Sequence, residues 1–403
     1  MMEPLVQTQV IPYLRELIKD GHELMLLTFE SSASPINGEK AKVRRAELAA
    51  DGIEWHALRY HKRFSVIATA FDIIQGALFV RRMIAGRQLD ILHARVHVPA
   101  LMGAIARRFS RRKPKLLFDI RGFMPEEYTD AGVWPENGWL FKAAKRIERW
   151  LLKESDGFVV LTEKAREILF PESRDSGFDS QGRPVEVIPC CVDLSRFMNP
   201  DRAQRENLRR DLGVSDRFVI TYVGSFGGWY MTDEMIEMFS TSRRQKPDSF
   251  ALILTQRDRE QVEGRLMEQG FTEKDFLVLS AKPEEVPSYL NASDAALSFI
   301  KACYSKQSSS PTKIAEYLAA GLPIVANSGV GDVDLTLEAH DVGVLIKDFN
   351  STSMEAALQE VRSLGDVSER CRSAAKTEFD LSEVAGKRYR RLYRRIMSDE
   401  ASR

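Results

Sequence analysis

The sequence holds no excess of either charge: Lys and Arg together number 58, and so do Asp and Glu. A general nucleic-acid binder needs a large basic surplus, so no nucleic-acid partner is expected. Cysteine is scarce. Cys190, Cys191, Cys303 and Cys371 form no CxxC pair and no Cys/His spacing of a zinc site. Cys190 and Cys191 are adjacent and so poorly placed to bridge each other, and a reducing cytoplasm is the expected compartment. A basic segment followed by an apolar run is missing at the start, so no signal peptide is expected. Long uninterrupted apolar runs are missing too. The most apolar stretch, 64–80, carries Asp72 and Gln75. A charge at mid-membrane is costly, so this stretch reads as a buried or amphipathic helix. Any membrane contact is then expected to be peripheral, at the inner face. A GxGxxG joining a strand to a helix is also absent, which argues against a nicotinamide-dependent oxidoreductase.

What is present is ordinary in amount and ordered in pattern. With 403 residues, 44% hydrophobic and 29% charged, the chain exceeds one core, and two domains are the default. Short apolar runs fit for buried parallel strands alternate with helical spacing. The strand-like runs of the first half are 23–29, 53–58, 89–93, 115–119, 157–161 and 185–189. Helices fall at 10–19, 99–109 and 139–153, and Thr162 caps another. The pattern restarts after a polar helix at 201–212, with strands at 218–223, 249–254, 275–279, 295–299, 323–326 and 344–346. This is repeated β-α, hence α/β with parallel sheets in two Rossmann-like halves. The domains expected are 1–192, 193–380 and a C-terminal helix within 381–403 that packs back on the first half. Ligands in such sheets bind beyond the strand C-termini. A Rossmann-like half normally opens with a strand, yet this chain enters almost directly at a helix. The first strand is therefore expected upstream or missing. The loop 171–184, rich in Ser, Asp and Gly, is expected to be mobile. The basic runs Arg107-Arg108 and Arg111-Arg112-Lys113-Pro114-Lys115 read as a solvated helix end and loop, or as a patch for phosphate groups or anionic lipid.

The most informative stretch runs from Ser308 to Asn327. Ser310 is a natural N-cap and Pro311 suits the first helical position, while Gly321 and Pro323 stop the helix. Free backbone N–H groups at Thr312 and Lys313 would draw phosphate, and Lys313 would add a full charge. Glu316, one turn on, would accept hydrogen bonds from two ribose hydroxyls. The competing reading is a capped helix with a surface Lys–Glu pair.

SPTKIAEYLAAGLPIVA, from Ser310, resembles the donor segment of glycosyltransferase family 4, retaining enzymes of the two-Rossmann GT-B fold. Five further stretches resemble the family in the expected order: LIKDGHELMLLTF, LLFDIRGFMPEE, VVLTEKAREIL, VEVIPCCVDLSRF and VITYVGSFGGWY. The resemblance covers nearly the whole chain. It implies a GT-B enzyme with two sheets facing across a cleft, the acceptor on the first domain and a UDP-, GDP- or ADP-sugar on the second. It implies no cofactor and no bound metal, and no DxD-type motif is placed as a metal site. A departing diphosphate is then stabilised by helix dipole and cations, with Lys313 as cation and Glu316 holding ribose. Donor contacts are expected from Gly224, Ser225, Gly227, Gly228, Ser308, Ser309, Ser310, Pro311 and Thr312. The family commonly has two glutamates with seven residues between them; Glu316 matches the second, and Ser308 stands at the first. The loop after 218–223 lacks the family's Arg and Lys, so Arg257, Lys301 and a Gly227–Gly228 anion nest are candidate replacements. Cys190-Cys191 replaces the usual Asn-Gly. Asp119 stands near the position of the family's catalytic-site histidine. Asp119 and Arg121 are catalytic candidates, against an internal ion pair that shapes their loop. Trp134, Trp139 and Trp229 read as packing before sugar stacking, and His93 and His97 as satisfied histidines. The expectation is a retaining glycosyltransferase acting on a glycan, lipid-linked or small-molecule acceptor in cell-surface polysaccharide synthesis. The alternatives are a non-catalytic nucleotide-sugar-binding partner of another transferase and a nucleotide-sugar epimerase of the same fold.

Overall fold

The computed structural model describes residues 4–31, 36, 38–61, 65–197 and 202–398. They form two compact units, 1–188 with 381–403 and 189–380. The second unit thus begins four residues before the expected 193. Pro189 to Val192 belong to it because Cys190 N–H donates to Ser310 Oγ and Val192 N–H to the Phe379 carbonyl.

The second unit is one parallel sheet of β7 (Val219–Val223), β8 (Phe250–Leu254), β9 (Phe276–Leu279), β10 (Ala295–Ser298), β11 (Ile324–Asn327) and β12 (Gly343–Ile346). Its order is β12-β11-β10-β7-β8-β9. The strands are short apolar runs because helices cover both faces. β8 and β11 are buried throughout, as interior strands of a doubly wound sheet must be. The chain order reverses between β7 and β10, which makes their C-terminal ends the topological switch point. The helix Thr312–Ala320 follows β10 and ends at Gly321, whose φ of 84° suits a residue without Cβ.

The first unit holds two parallel sheets among its described residues. One pairs β1 (Leu24–Glu30) with β2 (Ile53–Arg59). The other runs β3 (Ile91–Arg95), β4 (Lys115–Ile120), β5 (Gly157–Val160), β6 (Val185–Val187). Compared with the second unit, no described strand occupies the position of β7, the one that joins the two arms there. Thr162 caps its helix as expected, accepting from Ala165 N–H at 3.0 Å. The loop expected to be mobile is instead tied down. It contains the short helix Ser173–Ser176 and a Phe178–Pro184 bridge. Asp179 is buried there and accepts from the Arg183 guanidinium.

The C-terminal helix Lys387–Met397 packs on this unit, entered through a π-helical turn, Leu381–Gly386. Arg391 grips the buried Glu186 carboxylate with two bonds of 2.6 Å each, a charge-assisted fork. Tyr389 O–H donates to Asp119 Oδ2 at 3.1 Å, and the Tyr393 hydroxyl lies 2.9 Å from His93 Nδ1. Ile396 lies so close to Gly157 that a Cβ there would meet it at 2.6 Å. Removing one partner of a buried charged group exposes its desolvation cost. Tyr389→Phe is therefore expected to lower stability by about 1–3 kcal/mol in urea denaturation. An unchanged midpoint would show that the helix is not fastened through Asp119.

Candidate functional site

Three loops leave the C-terminal ends of β7, β10 and β11, beside the switch point. Two of them are laced together. Lys301 N–H donates to the Trp229 carbonyl at 2.8 Å, Met231 N–H to the Phe299 carbonyl at 3.3 Å, and Tyr230 bridges Ile300. Gly331 N–H then donates to the Lys306 carbonyl at 2.9 Å, joining the third.

Lys313 lies in the first turn of the Thr312–Ala320 helix and is 8% exposed. Its Nζ sits 4.2 Å from the Tyr222 ring centre and 4.4 Å from that of Tyr230, and donates to the Tyr222 hydroxyl at 3.1 Å. Two ring faces around one ammonium stabilise it by about 0.5–2 kcal/mol each. Gly224 gives the ammonium its room: a Cβ at that position would stand 2.8 Å from Nζ. Burial pushes Lys313 down to about 7, against the pull of Glu316. Burial likewise pushes Glu316 up to about 7, opposed by Arg196 and Lys313. Cation and carboxylate thus both titrate near neutrality, at a helix N-terminus that favours anions. Tyr317 of the same helix turns back and accepts from Val223 N–H at 2.8 Å, holding the helix to the end of β7.

Several expected contacts fall out differently. Ser310 does not cap the helix, because its hydroxyl accepts from Cys190 N–H at 3.0 Å and Pro311 takes the cap position. Ser308 is buried and donates to the Ser305 carbonyl at 2.7 Å. The Gly227–Gly228 nest is not available as drawn: both residues have positive φ, but Gly227 N–H donates to Thr232 Oγ1 at 2.9 Å. The Ser225 carbonyl accepts from the Tyr222 hydroxyl. Ser309 N–H donates to the Lys306 carbonyl, and Thr312 is partly exposed. Arg257 and Lys301 are exposed at the ends of loops after β8 and β10. The sequence reading passed over the two tyrosines, Lys306 and Arg196. Lys306 is 7% exposed and stands 4.0 Å over the Trp229 ring. A tyrosine two residues before a strand-ending glycine, and a lysine in the loop that precedes the helix, were the available signals.

In the first unit Asp119 and Arg121 end β4, but inside the protein. Asp119 has a side chain 1% exposed, 3.7 Å from Arg121, 3.8 Å from Arg95 and 3.4 Å from His93. Burial alone would raise its pKa. The Arg121 charge, the His93 hydrogen bond and Arg95 prevail and hold it well below the usual carboxylate range. This arrangement matches the internal ion pair weighed in the sequence. His97 is buried, 3.0 Å from Glu148, as a satisfied histidine. Trp134 stacks on Tyr128, while Trp139 is 70% exposed.

Residues 6–196 match the family described as Glycosyltransferase Family 4, and residues 204–378 match Glycosyl transferases group 1. The chain belongs to the family 4 glycosyltransferases of the GT-B fold. It is similar to a 2-deoxystreptamine glucosyltransferase of Streptomyces kanamyceticus, with 25% identity over 195 residues. That match takes in 46% of this chain, and the chain spans about half, 46%, of that relative's length. Among solved structures, a glycosyltransferase from Rickettsia africae is similar at TM-score 0.71 and 16% identity, covering 97% of this chain and 94% of that one. HepE of Anabaena, solved in complex with UDP and glucose, is similar at TM-score 0.67 and 14% identity, covering 94% of each.

A cation that titrates near neutrality gives the site a pH signature. Raising the pH through about 7 removes the Lys313 proton, and with it the positive charge that added pyrophosphate would meet. The affinity of wild type relative to Lys313→Gln is expected to fall between about pH 6 and about pH 8.5, as read by calorimetry. A constant ratio across that range would mean that Lys313 does not face the phosphate.

Proposed function

We propose that this chain is a retaining glycosyltransferase whose second unit holds a nucleotide-diphosphate sugar at the switch point. The observation that carries the reading is the buried ammonium of Lys313. It is caged by Tyr222 and Tyr230 at a helix start, with Glu316 on the next turn. A buried, incompletely solvated cation gains most from a diphosphate dianion, and gains more as negative charge develops on the leaving group. The free N–H groups of the Thr312–Ala320 helix add their dipole to the same charge. Glu316, once deprotonated, accepts hydrogen bonds from ribose hydroxyls. A leaving group stabilised in this way needs no protein nucleophile when the acceptor attacks from the face it departs, so configuration at the transferred carbon is retained. The UDP bound by HepE supports a nucleotide-sugar donor here as well. The donor is a UDP-, GDP- or ADP-sugar, with no cofactor or metal required, and the transferred group is a hexosyl or related sugar.

The acceptor belongs to the first unit in this reading. It is a glycan, a lipid-linked or a small-molecule hydroxyl, in cell-surface polysaccharide synthesis. Arg95, partly exposed at the C-terminal end of β3, is better placed to meet it than the enclosed Asp119. Asp119 then serves by holding His93, Arg95 and the C-terminal helix in place. Cys190, Cys191, Cys303 and Cys371 form no disulfide, which fits a cytoplasmic enzyme.

Titration of UDP, GDP and ADP by calorimetry tests the donor site. One nucleotide class is expected to bind. Lys313→Ala and Glu316→Ala are each expected to weaken it by a factor of about 10–100, the worth of one charged hydrogen bond. A folded protein that binds none of the three would exclude the reading. Release of free sugar or an epimer without any acceptor would instead favour the epimerase alternative.

A further inference from the structure

The stretch 64–80 was expected to form a buried or amphipathic helix, and the helix Ser65–Gly86 buries one of its faces. Its inner face is set flush by Gly76, where a Cβ would stand 2.5 Å from Met102 Sδ and 3.0 Å from Phe29 Cζ. Ala68, Ala77 and Ile84 are buried on that side. The outer face carries Ile67 at 74% exposure, Phe71 at 52%, Ile74 at 60% and Leu78 at 48%. These positions follow i, i+4, i+7 and i+11, one continuous stripe along three turns. Single exposed apolar residues are ordinary, but a contiguous stripe of large ones marks a surface that is covered by something.

The charges around the stripe select what covers it. Asp72 is the only acidic residue of this helix. It is buried on the other face, accepting from His61 N–H at 3.0 Å and lying 2.6 Å from His61 Nδ1. The stripe runs on into exposed Arg81 and Arg82. Alongside, the helix His97–Arg108 ends in Phe109, 66% exposed, and exposed Arg111, Arg112 and Lys113. Arg112 donates to the Arg87 carbonyl at 3.4 Å, which brings the two basic helix ends together. Arg81, Arg82 and Arg111 form no ion pair among the described residues. Neighbouring acids are already engaged: Glu54 with Arg87, Glu154 with Arg108 and Asp156 with Arg107. No described helix is long and apolar enough to cross a membrane, so a face of this kind lies on a bilayer instead of spanning it.

We propose that the outer face of the Ser65–Gly86 helix docks on an anionic lipid bilayer. Ile67, Phe71, Ile74 and Leu78 enter the boundary between headgroups and acyl chains. Arg81, Arg82 and Arg111 contact the lipid phosphates, with Phe109 entering among them. Apolar burial and attraction to anionic headgroups act together in such interfacial helices. The surface lies on the first unit and does not depend on the donor site, so it stands apart from any result on sugar transfer.

Co-sedimentation with vesicles tests it. Phosphatidylcholine vesicles are compared with vesicles containing about 30% phosphatidylglycerol, at low and high salt. The full chain is expected to pellet with the anionic vesicles, and less at high salt. Ile67→Gln/Ile74→Gln is expected to lower the partition coefficient by about tenfold, as each solvent-facing apolar side chain is lost from the interface. Arg81→Gln/Arg82→Gln/Arg111→Gln is expected to erase the preference for anionic over neutral vesicles. Thermal melts of the variants should match wild type, because the substituted side chains face solvent. Three outcomes overturn the proposal. One is no pelleting with either vesicle. Another is pelleting that the isoleucine variant leaves unchanged. The third is a wild-type dimer in light scattering that the same variant turns into a monomer, which would assign the face to a second copy of the chain.

Discussion

A lysine charge has been moved out of water at the start of a helix, and the second unit is arranged around that fact. An ammonium buried without partners would give up its proton, so every neighbour of Lys313 answers to the cost of keeping it. Tyr222 and Tyr230 offer ring faces and a hydroxyl. Gly224 is a glycine because a side chain there would collide with Nζ. Tyr317 fastens the helix to β7, so the lysine cannot swing out with its backbone. Glu316 supplies opposite charge from the next turn. These compensations hold the cation without quenching it, since no described carboxylate closes on it as an ion pair within 4.0 Å. A site left short of negative charge in this way is suited to receive an anionic ligand.

The sequence disclosed most of the fold, because strands of a doubly wound sheet are buried on both faces and read as apolar runs. VITYV and IVAN appear where they were expected, give or take a residue. The helix after Ser310 was legible through Pro311 and Gly321, whose backbone preferences do not depend on distant partners. What failed was whatever depended on tertiary partners. Ser310 has the chemistry of a cap, yet its hydroxyl serves Cys190, distant in sequence. Asp119 stands at a strand end, where sequence logic places site residues. Its environment comes from Arg95 and Arg121 together with a tyrosine 270 positions further on, which no local pattern announces. The tyrosine cage was missed for a related reason. A tyrosine in a strand reads as core, and only the fold brings Lys313 over its face.

The stretch 64–80 shows the same limit from the other side. Its hydrophobicity was plain, but hydrophobicity alone does not say which face is covered. The register of the helix decides that. Gly76 and the alanines set one face against the sheet and its neighbouring helix, and this turns Ile67, Phe71, Ile74 and Leu78 outward together. Small residues inside and large apolar residues outside reverse the usual arrangement of a surface helix.

The two units therefore handle charge in opposite ways. In the second, the Lys313 ammonium is drawn inward with no described carboxylate in ion-pair distance, so an anion bound there would relieve a desolvation cost already incurred in folding. In the first, the inward carboxylates have cations or histidine beside them: Asp119 has Arg95, Arg121 and His93, and Glu186 has Arg391 and Arg395. On the outside of that unit, Arg81, Arg82 and Arg111 at the end of the apolar stripe have no ion pair among the described residues. Internal charges that are satisfied fix the C-terminal helix and rigidify the unit, whereas uncompensated ones define where a ligand or a surface must come. On that basis Lys313 and the Arg81–Arg82–Arg111 cluster are the places where this chain is incomplete by itself.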